Sequence, residues 1–217
     1  MASEIRYLCF DTETGGLNEN KADLLTWYGA IMTEDYQIVD ELYLKLKPDD
    51  RLPVAEAGAL KVNGIILADH LADPETVTYT EGQRRLEAMI RKHLKRNGRY
   101  SNITPMGYNC PFDVRWTQKH LLPQDMWESL LHYKTHDVMA IVDALKKYGI
   151  FPKTLGSLGT VVEYLGIPTR NAHNAKEDTL MTVDVDKKLA ELFRRMREGA
   201  SAGGGQGQDL ISLLEAE

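Results

Sequence analysis

The chain has 217 residues, 43% hydrophobic and 27% charged, enough apolar material for one globular domain with a tail. Its formal net charge of -6 excludes a polycationic nucleic-acid binder, so any such contact must be local or mediated by metal ions. Cys9 and Cys110 are too few for a disulfide framework, and no apolar run reaches the ~20 residues needed to cross a bilayer. With no signal-peptide pattern over Met1-Ala2-Ser3-Glu4, these features predict a cytoplasmic protein with reduced thiols and no membrane partner.

Ile5 to Phe10 reads as a short buried strand that runs into Asp11 and Glu13 and breaks at Gly15-Gly16. A strand repeats every two residues, so Asp11 and Glu13 project from one face. Two carboxylates side by side at the end of a buried strand repel each other and are costly to desolvate. A hard divalent cation relieves both penalties, although Asp-x-Glu also begins ordinary solvated loops. Leu24 to Met32 and Tyr36 to Leu46 read as two further strands joined through Thr33-Glu34-Asp35, giving an antiparallel meander with the first. A short helix is expected from Pro53 to Leu60, ending at Val62-Asn63-Gly64-Ile65. Thr80-Glu81-Gly82-Gln83 fits a capping box for a helix that buries Leu86, Met89, Ile90 and Leu94. That helix carries Arg84, Arg85, Arg91, Lys92, Lys95 and Arg96, with Arg99 just beyond, and reads as a solvated outer face rather than a nucleic-acid contact.

A fourth strand is expected from Ile103 to Tyr108, then a helix opened by Pro111 with Asp113, Trp116 and His120 on one side. His132 to His136 reads as a fifth strand, with Asp137 capping a helix that ends at Gly149. Ser157 caps another helix, closed by Gly166, and the last helix starts near Asn174. Three strands followed by alternating helix and strand give an α/β architecture around one mixed sheet. Three separated acidic positions then stand out: Asp11 with Glu13, Asp113, and Asp178 with His173 five residues before it. Five residues on a helix turn two side chains roughly 140° apart, so His173 must sit in the loop leading in. His70, His93, His120, His132 and His136 lack metal-ligand spacing, and Trp116 and Trp127 read as core.

Asp11-Thr12-Glu13-Thr14, Gly107-Tyr108-Asn109-Cys110-Pro111-Phe112-Asp113, and His173 with Asp178 resemble, in order, the three motifs of the DEDDh family of 3′→5′ exonucleases. This family includes the proofreading ε subunit of bacterial DNA polymerase III, and the resemblance covers residues 5 to about 190. It implies an RNase H-like mixed five-stranded sheet flanked by helices. It also implies a catalytic set of Asp11, Glu13, Asp113, His173 and Asp178, in which the four carboxylates hold two Mg²⁺ or Mn²⁺ and His173 is the general base. Substrate contacts would come from Thr12, Thr14, Leu17 as a wedge against the terminal base, Asn63, and Asn109. Two departures are Asn63, where relatives near ε carry His, and Pro111, where a small or apolar residue is usual. The implied substrate is the 3′ end of single-stranded or frayed DNA. An RNA-trimming enzyme of the RNase T or oligoribonuclease kind, or an inactive exonuclease-like binding module, are the alternatives.

After a domain spanning 1–197, residues 198–207 read as a Gly-rich linker whose ends lie roughly 16–19 Å apart. Residues 208–217 return to apolar character. Gln208, Ile211 and Leu213 resemble the peptide by which bacterial replication proteins hold the sliding clamp, with a frayed terminal helix as the alternative. A clamp or a polymerase is therefore an expected partner.

Overall fold

A computed structural model of the chain describes residues 4–170 and 174–201. The order is β1 (Ile5–Thr14), β2 (Leu24–Thr33), β3 (Ile38–Lys47), α1 (Ala57–Asn63), α2 (Leu67–Ala72), β4 (Thr76–Thr78) and α3 (Tyr79–His93). There follow β5 (Arg96–Asn97), β6 (Tyr100–Ser101), β7 (Thr104–Gly107), α4 (Cys110–His120), α5 (Gln124–Leu130), β8 (His136–Asp137), α6 (Val138–Lys147), α7 (Leu158–Tyr164) and α8 (Ala175–Ser201). One mixed sheet runs β4-β3-β2-β1-β7-β8, and β5 and β6 form a separate hairpin. β1 to β3 are the expected antiparallel meander, while β7 adds parallel to β1, and β8 to β7.

β1 sorts its side chains between two layers. Cys9 packs into a core with α6, α7 and α8, while Leu8 and Phe10 pack into a second core with α3, α4 and α5. Trp116 and Trp127, read as core from the sequence, are buried in that second core together with Trp27. β2 lies between β1 and β3 and is buried along its whole length.

Several boundaries depart from the sequence reading. The five expected strands are present, but a sixth, β4, adds three residues parallel to β3. The expected strand at 132–136 contracts to β8 because Tyr133 to Thr135 are exposed and leave the sheet. α3 starts at Tyr79 and is capped by Thr78, whose side chain accepts from the Glu81 amide at 3.4 Å. The Thr80 box therefore lies inside the helix, because Tyr79 is anchored one strand away by its hydroxyl on the Leu24 carbonyl at 3.0 Å. The first short helix begins at Ala57 rather than Pro53. α8 runs to Ser201, four residues into the stretch read as linker, with Glu198 bound to Arg194 at 2.8 Å. The remaining linker and the tail at 208–217 lie outside the described residues, as does His173.

The delay in α1 has a physical cause at Asp23. This fully buried carboxylate holds Arg51 through both oxygens, at 2.5 and 2.8 Å, and accepts the Val54 amide at 2.6 Å. The Asp23 amide in turn donates to the Val54 carbonyl at 3.0 Å, so residues 51–54 are held as an extended strap across the start of β2. Charge-assisted hydrogen bonds of this kind contribute about 1.5–3 kcal/mol each. Asp23→Ala should thus lower the unfolding free energy by about 2–4 kcal/mol, and Arg51→Ala, which leaves the buried Asp23 carboxylate without its counter-ion, should cost at least as much. Chemical denaturation of the two variants checks the order.

Candidate active site

β1 delivers Asp11 and Glu13 from the face that meets α8, and the start of α8 supplies Asp178. Oxygens of these three carboxylates lie within 4.8 Å of one another. α8 is fixed by Val183, Val185, Leu189 and Leu192 in the core. Its first turn is capped by Asn174, whose side chain accepts from the amides of Lys176 and Glu177 at 3.1 and 3.4 Å. Asp178 therefore sits near the positive end of a long helix dipole.

Asp113 arrives from the opposite layer. Pro111 opens α4, and Asn109 precedes it in the left-handed region at φ 63. Asp137, the cap of α6, also accepts the amides of Asn109 and Cys110 at 3.0 and 3.4 Å, tying the starts of two helices to one carboxylate. Thr12 points away from Asp11 and Glu13, toward α4. Its amide and hydroxyl both donate to one Asp113 oxygen, at 3.1 and 2.6 Å. Asp113 is thereby held beside the acidic trio without joining it.

Burial is the first cause that raises the pKa of Asp11, Glu13 and Asp113. Asp11 is raised well above its ordinary range by burial and by the charges of Asp113, Glu13 and Asp178. Glu13 is pushed up to about 8 by burial and by Asp178 and Asp113. Asp113 is pushed up to about 7 by burial, against the two hydrogen bonds from Thr12. An all-carboxylate donor set that is half-buried and self-repelling suits a hard divalent cation, which neutralises the charge and takes oxygen ligands. The residues present fit such an ion.

A cleft of about 400 Å³ opens beside the trio. Thr12, Thr14, Leu17 and Asn63, four of the five expected substrate contacts, line it together with Glu13. Leu17 is 83% exposed, so its side chain is offered to a ligand rather than to the core. Asn63 donates to the Thr14 carbonyl at 3.2 Å and accepts the Ile65 amide, which locks its side chain at the cleft wall. Asn109 is not part of this lining: it precedes α4 and acts through its backbone. Phe112, Val62 and Glu56 also line the cleft. The signal for Phe112 was its place inside the second motif, whereas nothing local marked Glu56 or Val62. Gly15 brings that wall in: a Cβ there would stand 2.5 Å from the Val54 carbonyl oxygen, and the Glu56 amide bonds the Gly15 carbonyl at 2.6 Å.

The five histidines read as ordinary take structural places. His70 bonds the Leu46 carbonyl, His93 faces Asp40, His136 faces Asp186, and His120 and His132 stack among aromatic rings. Cys9 and Cys110 are buried and unpaired, with burial raising both thiols, so neither is a nucleophile. Among the described residues no helix is long and apolar enough to cross a membrane.

No protein-family model matches the chain. It is 26% identical over 193 residues to the PolC-type DNA polymerase III of Thermotoga petrophila, and 27% identical over 195 residues to that of Clostridium perfringens. These alignments cover 88% of the chain but only 12% and 11% of the two polymerases. Among solved structures, E. coli exonuclease I in complex with a dT13 oligonucleotide superimposes with a TM-score of 0.62 at 19% identity, over 85% of this chain and 40% of that one. The zinc-bound E. coli exonuclease I complex with single-stranded DNA gives 0.64 at 18% identity, over 91% and 45%. The likeness shows the fold, that of exonuclease I: an RNase H-like mixed α/β sheet flanked by helices.

The raised pKa of Glu13 fixes a sign for stability. Between its ordinary 4.5 and about 8, the native state keeps a proton that the unfolded chain has lost. Stability is therefore fully present below the ordinary value and is lost as pH rises through the folded one. Metal-free protein should melt at progressively lower temperature over this window. Added Mg²⁺ or Mn²⁺ should restore the loss, most strongly at the alkaline end. Glu13→Gln should flatten the metal-free profile; a slope equal to that of the wild type would contradict the assignment. Thermal melts in chelator and in excess metal read all three.

Proposed function

We propose that this chain is a 3′→5′ exonuclease that releases nucleoside monophosphates from single-stranded or frayed DNA ends, in a proofreading role. The observation that carries this reading is the carboxylate trio within 4.8 Å, one member of which, Glu13, lines a cleft about 400 Å³ in volume. The likeness to PolC-type DNA polymerase III and to exonuclease I crystallised with oligonucleotides supports it. Asp11, Glu13, Asp113 and Asp178 would hold two Mg²⁺ or Mn²⁺, which would supply a water of lowered pKa and neutralise charge at the phosphate. Thr12 fixes the Asp113 carboxylate, so the strand and α4 approach the phosphate as one unit. Leu17 and Phe112 present apolar surface to the terminal base, while Asn63 and Thr14 flank the sugar from the wall that Gly15 brings in. His173, five residues before Asp178 in the sequence, takes the proton of the attacking water; the ordinary histidine pKa of about 6.5 suits that task near neutral pH.

The same reading makes residues 208–217 a tether. Gln208, Ile211 and Leu213 bind a bacterial sliding clamp or polymerase, and the preceding linker leaves the catalytic domain free to reach a 3′ end. A cytoplasmic location follows from a role at replicating DNA.

Matched DNA and RNA oligonucleotides, each with a labelled 5′ end, test the reaction. The expected result is stepwise shortening from the 3′ end, faster on DNA, abolished by excess EDTA and by Asp11→Asn or Asp178→Asn. His173→Ala should lower kcat by about 10²–10⁴-fold and remove the rise of rate with pH. Faster shortening of RNA would move the substrate to RNA, and no shortening of either would leave a binding module. Clamp binding by the full chain, compared with a truncation after Gly207, reads the tail: equal binding by both removes it from the proposal.

A further inference from the structure

The basic stretch between residues 84 and 99 divides into two parts in the fold. On α3, Arg84 and Arg85 lie on Glu81 at 2.7 Å, Arg91 on Glu87 at 2.7 Å, and Lys92 on Asp40 at 2.9 Å, so that helix presents compensated charge. α3 stops at His93, and Arg96 and Arg99 belong instead to the β5–β6 hairpin. Its two-residue turn, Gly98-Arg99, has its glycine at φ +62, the geometry that places glycine first in such turns. Arg96 donates to the carbonyls of Ser129 and Arg99, and Arg99 to the Tyr100 hydroxyl at 2.6 Å. Among the described residues, neither arginine pairs with a carboxylate.

Aromatic rings stand beside these cations. Tyr100 lies 5.3 Å from Tyr133 and 5.5 Å from His132, and His132 lies 4.7 Å from Tyr133. The Arg99 guanidinium is 4.9 Å from the Tyr100 ring centre, and the Lys134 ammonium 5.7 Å from that of Tyr133. Tyr133 is 63% exposed and Tyr100 37%, which leaves ring surface open to a ligand. Burial and the charges of Lys134 and Arg6 hold His132 below its ordinary pKa, so its ring is neutral at pH 7. Flat, rigid apolar faces between uncompensated cations suit a ligand that carries flat rings and a negative charge at every step. A duplex hides its bases, and an acidic peptide supplies charge without planar faces.

We propose that this hairpin cluster, with the segment leading into β8, is a second binding site for single-stranded nucleic acid, separate from the catalytic cleft. Ser101 and His132 precede β7 and β8, whereas Asp11 and Glu13 lie in the last residues of the parallel strand β1 and Asp113 follows β7 in α4. The four residues of β7, Thr104 to Gly107, place roughly 10 Å of strand between the two. A long strand reaches both sites; a very short one occupies the cleft alone. Binding at the cluster is independent of the exonuclease reading, and only its use in holding the substrate strand rests on it.

Fluorescence anisotropy of the full chain in excess EDTA, with labelled short and long oligothymidylates across a salt series, tests the site. Tyr100→Ala with Tyr133→Ala should weaken long-strand binding about 10-fold and leave short-strand binding unchanged. Tyr100→Phe with Tyr133→Phe should bind as wild type, because the stacking faces remain. Arg99→Gln with Lys134→Gln should reduce the salt slope by about 0.7 for each phosphate that is no longer neutralised. Wild-type affinity in a folded double alanine variant would overturn the proposal. So would competition by polyglutamate as effective as that by oligothymidylate, which would mark a surface for an acidic protein. Turnover of very short substrates should be unchanged in all these variants; absent turnover in the wild type would count against the exonuclease reading and leave the binding result standing.

Discussion

Asp11, Glu13 and Asp178 keep oxygens within 4.8 Å of one another although burial and mutual repulsion raise the pKa of the two strand acids, and the architecture supplies what holds them there. Two cores clamp β1 from opposite faces, and each core anchors a helix that aims an acid at the strand's end. α8 is fixed by its buried aliphatic stripe and by Asn174 at its first turn, so Asp178 cannot retreat from β1. α4 is fixed by Asp137 across β8 and by Trp116 in the second core, so Asp113 cannot leave Thr12. The carboxylates are destabilising in themselves. The packing around them offsets that cost, and it leaves a preformed place for cations with little rearrangement to make on binding.

The cleft depends on a second, independent device. Asp23 straps residues 51–54 to the start of β2, and the absence of a side chain at Gly15 lets the following backbone close on β1. α1 is thereby set against the strand, with Asn63 facing Thr14. The acids and the wall that would orient a substrate are thus secured by different interactions, and loss of one need not disturb the other.

Charge on the surface is arranged unevenly. The cations of α3, and Arg194 and Arg195 of α8, are largely matched by carboxylates one helical turn away, which is a solvated and locally neutral arrangement worth little in stability. Arg96, Arg99 and Lys134 meet carbonyls and rings instead. On a chain with a net charge of -6, these three cations form a local positive patch rather than part of a general basic character.

Local features of the sequence determined the meander, the placing of Asp11 and Glu13 on one face, the caps at Asp137 and Ser157, and the closing turns at Gly149 and Gly166. Each follows from backbone geometry over a few residues, where alternation, a capping side chain or a left-handed glycine suffices. The capping of α3 by Thr78 rather than Thr80 shows where this ends: two threonines offer similar caps, and the contact of Tyr79 with β2 chose between them. The β4 edge strand, the Asp23–Arg51 strap, the Thr12–Asp113 contact and the grouping of Arg99 with Tyr133 join residues far apart in the chain. No local pattern encodes such pairs, because their energy comes from burial and from partners that only the closed sheet brings within reach. The sequence therefore named the acids, and the tertiary structure decided that three of them share one point while the fourth is held from the opposite layer.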